Sequence, residues 1–214
     1  DEFEFFTNVN TLSDEAFANS KLTSIKLPES ITSLGSGIFK NCTNLKDIIL
    51  PQGINKISKE MFLNCESLNS IKIPDNVRTI EENSFGNVGI KKILIDEESG
   101  SKSLLLTSDS KLNTIHNNAF AKDAWTHDSA ATVHSTNVLE VASLPKTLEI
   151  GVNSFKFLLS KNLKEINLPD SLEYIAHEAI SNCDELKEKC EEGYHAGVIS
   201  CAFNNTEDIK NKLK

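Results

Sequence analysis

Apolar residues recur along this chain in a fixed order, with a period of 22 or 23 residues over its first part. One marker is a phenylalanine preceded by a small or apolar residue, found at Phe17, Phe39, Phe62, Phe85, Phe120 and Phe155. The second marker is an apolar residue followed by proline, found at Leu27-Pro28, Leu50-Pro51, Ile73-Pro74, Leu144-Pro145 and Leu168-Pro169. Self-similarity at such a period indicates a repeat protein built from stacked coils.

Each repeat predicts one short strand and a return segment. Before the proline, inward apolar and outward polar positions alternate, as in the stretch 24–27, which predicts a strand with one buried face. Proline ends the strand because it cannot donate to a ladder. An apolar pair three residues apart, such as Ile54 and Ile57, then returns along the other side. The segment around each Phe has helical spacing, which predicts a short helical turn.

Such a coil has no core of its own, so its stability must come from its neighbours. We expect stacked coils to bury their Leu, Ile and Phe side chains against one another in one continuous core. The strands would then form one parallel sheet, with Ile25, Ile48, Ile71 and Ile93 aligned along it. Residues 1–186 are predicted to hold about six to seven of these coils. Because each coil would combine a short parallel strand with a short helical turn, the predicted fold class is α/β.

Two repeats are longer, because the steps from Phe85 to Phe120 and from Phe120 to Phe155 are each 35 residues. We place the insertions at residues 96–108 and 121–134. Loops on a rigid scaffold often carry function, and Trp125 in the second insertion is a candidate interface anchor. The alternatives are that residues 104–106 add a strand and that Trp125 packs onto its coil.

The two ends of the chain depart from the pattern. Aligned backward from Phe17, the chain begins in mid-repeat with Phe3 and Phe5 in strand positions. This favours a domain cut from something longer, and the alternative is a cap built from aromatic residues. After Leu186 the strand pattern disappears, and residues 187–214 are predicted to form a C-terminal cap that contains helix. The opening residues lack the features of a signal peptide, so an exported form would have lost its targeting segment.

An Asn-Cys pair comes two residues after the Phe position of three repeats, at residues 41–42, 64–65 and 182–183, where Ile180 takes the place of Phe in the last. Asn suits a tight corner, where its side chain bonds backbone groups that the turn leaves unpaired. We interpret Cys42 and Cys65 as small buried residues with free thiols. Cys190 and Cys201 are better placed for a disulfide in an oxidising setting, and both the bridged and the free state stay open.

Composition narrows the possible functions. The net charge of −9 argues against nucleic acid as a partner, which would require a basic face. No apolar run approaches the roughly 20 residues of a membrane-spanning helix, so we expect no membrane insertion of this segment. Phosphate-binding and hydrolase motifs are absent from the sequence, and the set Asp123, His127, Asp128 and His134 does not have zinc-ligand spacing. We therefore expect no catalytic residue, no metal and no cofactor.

The repeat resembles the BspA-type leucine-rich repeat, whose pattern is close to A-F-x-x-C-x-x-L-x-x-I-x-I-P-x-x-V-x-x-I-x-x-x-A-F. The likeness covers residues 3 to about 186, with Ser20 and Val88 at the Cys position of the first and fourth units. The resemblance implies a right-handed, curved solenoid, and it implies that the protein is displayed on a cell surface or secreted. It also implies a non-enzymatic role in protein–protein interaction, such as adhesion to host or cell-surface proteins.

The outward strand positions are predicted to form two columns on the concave face, the common binding surface of curved repeat proteins. Mixed charge and apolar residues there favour a protein ligand. The candidate binding residues are Ile49, Lys72, Lys92, Leu94, Val141 and Glu165, together with Trp125. An alternative hypothesis is a structural spacer within a larger multidomain protein, and another is an intracellular scaffold.

Overall fold

The computed structural model describes residues 8–98, 100, 102–116, 119–122, 136–137, 139–145 and 163–167. Every regular element within these residues is a short strand, and fourteen are present. They are β1 (Thr11–Leu12), β2 (Ser24–Lys26), β3 (Ser33–Leu34), β4 (Asp47–Ile49), β5 (Lys56–Ile57), β6 (Ser70–Lys72), β7 (Thr79–Ile80), β8 (Lys92–Ile95), β9 (Ser103–Leu106), β10 (Thr114–Ile115), β11 (Ala121–Lys122), β12 (Thr136–Asn137), β13 (Val141–Ser143) and β14 (Glu165–Asn167).

The strands before the proline positions pair in parallel, as the repeat predicted. Strand β2 pairs with β4, with Ile25 opposite Ile48. A second, five-stranded sheet has the order β14-β13-β8-β9-β6, and its inward positions align from Ile71 through Leu104 and Ile93. Strand β4 neighbours β6, although the backbone ladder is interrupted between them. We call the two sheets together the strand sheet.

The return segments pair in parallel along the opposite side, β1 with β3, and β7 with both β5 and β10. Where this second line of strands is interrupted, between β3 and β5, the buried Ser58 hydroxyl donates to the carbonyl oxygen of Leu34 at 2.7 Å. A backbone N–H makes the equivalent bond in other coils, such as that of Glu81 to Ile57 at 2.9 Å. A side chain thus maintains the contact between coils.

The core between the two lines of strands contains a column of stacked phenylalanines. Ring centroids of successive coils lie 5.3–5.8 Å apart, from Phe17 through Phe39, Phe62 and Phe85 to Phe120. All but the first of these rings are almost fully buried. Burial of one such side chain stabilises the fold by about 1.5–3 kcal/mol, so the column is a large part of what holds neighbouring coils together.

The helical turn predicted around each Phe is not formed in the described coils, which have hydrogen-bonded turns there. Gly37 and Asn41, two residues before and after Phe39, have φ of 62° and 61°, which interrupts a right-handed helix. The N–H of Phe39 donates to the carbonyl of Met61 in the next coil at 3.0 Å. In a helix that group would bond within its own segment. The predicted helical cap at 187–214 lies outside the described residues.

The first insertion adds a strand, which settles the alternative left open for residues 104–106. Strand β9 follows β8 in the chain but lies between β6 and β8 in the sheet. The side chains of Leu104 and Leu106 are buried in the core. Of the second insertion only residues 121–122 are described; they form β11, antiparallel to β12, and Trp125 lies outside the described residues.

Candidate functional site

The outer face of the strand sheet is formed by the side chains that alternate with the inward aliphatic residues. Because the strands within each of the two sheets are parallel and in register, these side chains form columns that cross the strands. From β4 to its neighbour β6, each column is continued by the equivalent positions of the repeat. In spatial order, one column is Ser24, Asp47, Ser70, Ser103, Lys92, Val141 and Glu165. The other is Lys26, Ile49, Lys72, Leu105, Leu94 and Ser143, with Asn167 in register.

Ile49 is the most conspicuous residue of this face. Its side chain is 55% exposed, and no other large hydrophobic residue is exposed in the part of the chain that the structure describes. It lies directly opposite Lys26 on β2. Covering such an exposed aliphatic side chain with a partner protein removes apolar surface from water and so favours binding.

Leu94 and Val141, which were expected to be exposed beside Ile49, are only partly exposed. Inserted strand β9 places Leu105 next to Leu94. The chain also passes over Leu94 at Gly100, where an added Cβ would lie 3.1 Å from Leu94 Cδ1 and 2.7 Å from Ser103 Oγ. The insertion therefore closes this part of the face, which the spacing of residues in the sequence did not reveal.

Three charged side chains surround Ile49 on the outer face. Lys26, Asp47 and Lys72 are exposed, and none of them takes part in an ion pair among the described residues. Ion pairs elsewhere in the described part of the chain include Lys40–Glu60, Lys56–Glu81, Lys59–Glu82 and Lys91–Glu140. The open part of the outer face thus combines one apolar side chain with unpaired charges of both signs.

On the side of the Phe turns, polar side chains bond from coil to coil. Asn41 Nδ2 donates to Asn19 Oδ1 at 3.0 Å, Asn64 to Asn41 at 2.7 Å and Asn87 to Asn64 at 2.8 Å. The sequence led us to expect bonds from these Asn side chains to the backbone; the Asn side chains bond one another. All four Asn residues also have positive φ, so they terminate turns and link coils at once.

The two buried cysteines are free thiols, as predicted. Cys65 Sγ donates to the carbonyl oxygen of Phe39 at 3.1 Å, and Cys42 Sγ donates to that of Phe17 at the same distance. Burial, with a smaller contribution from Cys42, raises the pKa of the Cys65 thiol to about 12. Since the thiolate is the nucleophile, Cys65 is inert at neutral pH and serves packing.

Other chemistry finds no support in the described residues. Over the described ranges, His, Cys, Asp and Glu side chains form no group of three that could hold a metal ion. The residues considered for zinc, Asp123, His127, Asp128 and His134, lie outside those ranges. The described part also contains no helix with the length and apolarity that crossing a membrane requires.

The sequence matches the model of the BspA type Leucine rich repeat region in six copies, over residues 1–123 and 129–211. The chain therefore belongs to the BspA-type leucine-rich repeat family. The match extends into residues 187–211, where we had predicted a cap. Leucine-rich repeats generally mediate protein interactions, so the family suggests a protein-interaction module.

Several solved structures are similar to this chain, and the first of them shares its fold. A leucine-rich repeat protein of T. pallidum is 23% identical with a TM-score of 0.55, covering 78% of this chain and 66% of the other. A leucine-rich repeat protein from Bacteroides ovatus is 19% identical with a TM-score of 0.40 and coverages of 83% and 51%. A leucine rich cell surface protein from Faecalibacterium prausnitzii is 20% identical with a TM-score of 0.38 and coverages of 74% and 29%.

This chain thus spans just under two thirds of the T. pallidum protein and smaller shares of the other two. A search of curated proteins gave no match.

Proposed function

We propose that this chain is a non-enzymatic module, displayed on a cell surface or secreted, that adheres to another protein through the outer face around Ile49. The observation that carries the proposal is the 55% exposure of Ile49 on a rigid parallel sheet. Membership of the BspA-type leucine-rich repeat family supports both the class of function and the location.

A rigid surface suits this role for an energetic reason. Affinity is reduced when side chains and loops must be ordered at the interface, because this ordering costs conformational entropy. Ile49 lies in a strand whose backbone is already fixed by its pairing with β2, so little of the apolar gain is lost to ordering. Truncation of a few central residues usually removes most of an interface's binding energy, and Ile49 is the described residue best placed for that part.

The other candidate residues occupy different positions relative to Ile49. Lys72 is in the same column, whereas Lys92, Val141 and Glu165 lie beyond inserted strand β9. We assign Lys72 to the centre of the proposed interface and the other three to its margin. Trp125 stays a candidate anchor from the second insertion.

The test compares two variants that carry the same new charge at different places. Ile49→Asp alters the outer face, and Ser33→Asp alters an exposed strand position on the return side. We expect wild type to bind saturably to cultured cells or to one of a panel of purified matrix proteins in surface plasmon resonance. Ile49→Asp should weaken that binding by about tenfold or more, while Ser33→Asp should leave it unchanged.

Equal affinities of wild type and Ile49→Asp would contradict the assignment of this face. Complete lack of saturable binding to cells and matrix proteins would contradict adhesion. Leu94→Asp is a poor substitute as a test, because Leu94 is partly buried beneath Gly100 and a charge there would also destabilise the fold.

A further inference from the structure

We infer that the outer face recognises a protein segment in which an apolar side chain lies between two carboxylates. Ile49 contacts the apolar side chain, and Lys26 and Lys72 each bind one carboxylate. This inference rests on the proposed function and names the chemistry of the partner. Nothing in the family match or in the related structures specifies it.

The arrangement of the three residues is set by the strands. Lys26, Ile49 and Lys72 each end their strand, and Lys26 is in register with Ile49. Lys72 occupies the equivalent place on β6, which neighbours β4 although no backbone ladder joins them, so the two lysines flank the isoleucine on opposite sides. A segment that crosses the strands would meet a positive charge, an apolar surface and a second positive charge in that order.

The column also has a defined limit on one side. The residue in register with Lys72 on the next strand is Leu105, which is only 7% exposed. Leu94 follows it and is partly buried near Gly100. The accessible stretch therefore ends at Lys72, and the contact sequence is the short one from Lys26 through Ile49 to Lys72.

The charge balance of the molecule supports carboxylates as the missing partners. The chain has 31 acidic residues against 22 basic ones, and Lys40, Lys56, Lys59 and Lys91 each pair with a glutamate. Lys26 and Lys72, like the exposed Lys21, Lys46 and Lys102, form no ion pair among the described residues, so both ammonium groups are available to a ligand. A ligand that supplies two carboxylates would give Lys26 and Lys72 an ion-pair partner each.

A sulfated polysaccharide is the competing polyanion, and three features disfavour it. The net charge of −9 repels a densely charged chain. Asp47 adds a negative charge in the adjacent column, two residues from Ile49 on the same strand. Ile49 itself offers apolar surface that such a polymer cannot use. A folded or extended acidic protein segment meets the positive charges locally and gains the apolar contact.

The experiment begins with selection of peptides from a random library displayed on phage, with the full 214-residue chain as target. We expect enriched sequences to carry Asp or Glu on both sides of Leu, Ile, Val or Phe. The selected peptides are then synthesised, and their dissociation constants are measured by fluorescence anisotropy at low and at physiological salt.

Two charge-reversed proteins provide the matched comparison. Lys26→Glu/Lys72→Glu alters the proposed contact, and Lys21→Glu/Lys111→Glu makes the same change of net charge at exposed lysines outside the two columns. We expect the first to weaken peptide binding by about tenfold or more, and the second to have little effect beyond long-range repulsion. Weakening of the wild-type affinity by salt should be largely lost in the first variant.

The possible results separate the partner class from the proposed function. Enrichment of neutral or basic peptides, or equal effects of the two double variants, would overturn the acidic partner. If Ile49→Asp still abolished adhesion in that case, the binding face itself would stand. Tighter binding of a heparin probe than of the acidic peptides, lost in Lys26→Glu/Lys72→Glu, would overturn the inference in favour of a sulfated glycan.

Discussion

In the regular coils, residues 24–90, each strand is followed by one return strand and one buried phenylalanine. In the inserted coil, residues 91–122, two strands, β8 and β9, precede the single return strand β10 and Phe120. Both regions bury aliphatic residues in the same aligned positions, but their outer faces differ. The regular coils leave Ile49 exposed, whereas the inserted coil buries Leu105 and partly covers Leu94.

The comparison shows that core and surface follow different rules in this solenoid. The core depends only on which residues point inward, and β9 meets that requirement with Leu104 and Leu106. The surface depends on how the chain reaches each strand. The connection from β8 back to β9 is short, and it passes near Leu94 at Gly100. One insertion thus left the stacking intact and changed which part of the face is accessible.

The largest expected effect tests whether the inserted strand is core. Leu68 in the regular coils and Leu104 in the inserted coil are both fully buried. Leu68→Ala and Leu104→Ala should each lower the free energy of unfolding by about 2–5 kcal/mol, measured by urea denaturation, because each leaves a cavity. If residues 96–108 formed a surface loop, Leu104→Ala would change stability by less than about 0.5 kcal/mol.

An intermediate effect is expected at the Phe turns of the regular coils. Glu15 and Gly37 occupy equivalent positions two residues before a Phe, with φ of 56° and 62°. The left-handed conformation costs a side chain about 1–2 kcal/mol. Glu15→Gly should therefore raise the free energy of unfolding by about 1 kcal/mol, and Gly37→Ala should lower it by a similar amount.

Glu15→Ala is the control for this prediction, because it keeps the strained backbone while removing the carboxylate, and it should have little effect. Thermal denaturation of the three variants alongside wild type provides the measurement. Equal stabilities of the Glu15→Gly and Glu15→Ala variants would mean that the turn is not left-handed at this position.

The smallest effect concerns the ion pair between Lys91, just before β8, and Glu140, just before β13. The hydrogen bond from the Lys91 ammonium is the main cause that lowers the pKa of the Glu140 carboxyl. A carboxyl group whose pKa is lower in the folded than in the unfolded state stabilises the fold at pH values above its unfolded pKa, which is about 4.3 for Glu. That stabilisation is lost as the pH falls through the folded pKa.

Glu140→Gln should therefore be slightly less stable than wild type at neutral pH, by less than about 1 kcal/mol because the pair is partly exposed. The difference should shrink as the pH falls below the unfolded value of about 4.3 and vanish once the pH is below the lowered folded pKa of Glu140. Parallel urea titrations across this range measure it. A difference that persisted or grew in acid would mean that the ion pair is not its cause.

Much of the fold could be predicted from the sequence because inward positions are strongly specified. The alignment of Ile25 with Ile48 and the free buried thiols of Cys42 and Cys65 follow from the repeat and are confirmed. A spacing of three residues does not distinguish a helical turn from a turn that contains residues in the left-handed backbone conformation. Gly37 and Asn41, two residues either side of Phe39, have that conformation, and their residue types were the signal for it in the sequence.

The position of β9 could not be predicted in the same way. Leu104, Leu105 and Leu106 are all apolar, so alternation does not reveal which of them faces outward. Chain order also suggests that a later strand lies farther along the stack, and β9 lies one place back. For the candidate site, the sequence predicted the outward positions of Ile49 and Lys72, both of which are exposed, but the partial covering of Leu94 depends on the path of the chain at Gly100.

The most direct test of the account is the accessibility of the outer face on the two sides of β9. Thiols introduced by Ile49→Cys and Leu94→Cys can be labelled with a maleimide in the folded protein and followed at each site by mass spectrometry. The account predicts rapid labelling at position 49 and labelling slower by about tenfold or more at position 94, where the chain covers the side chain. Equal rates at the two positions, or faster labelling at position 94, would contradict it.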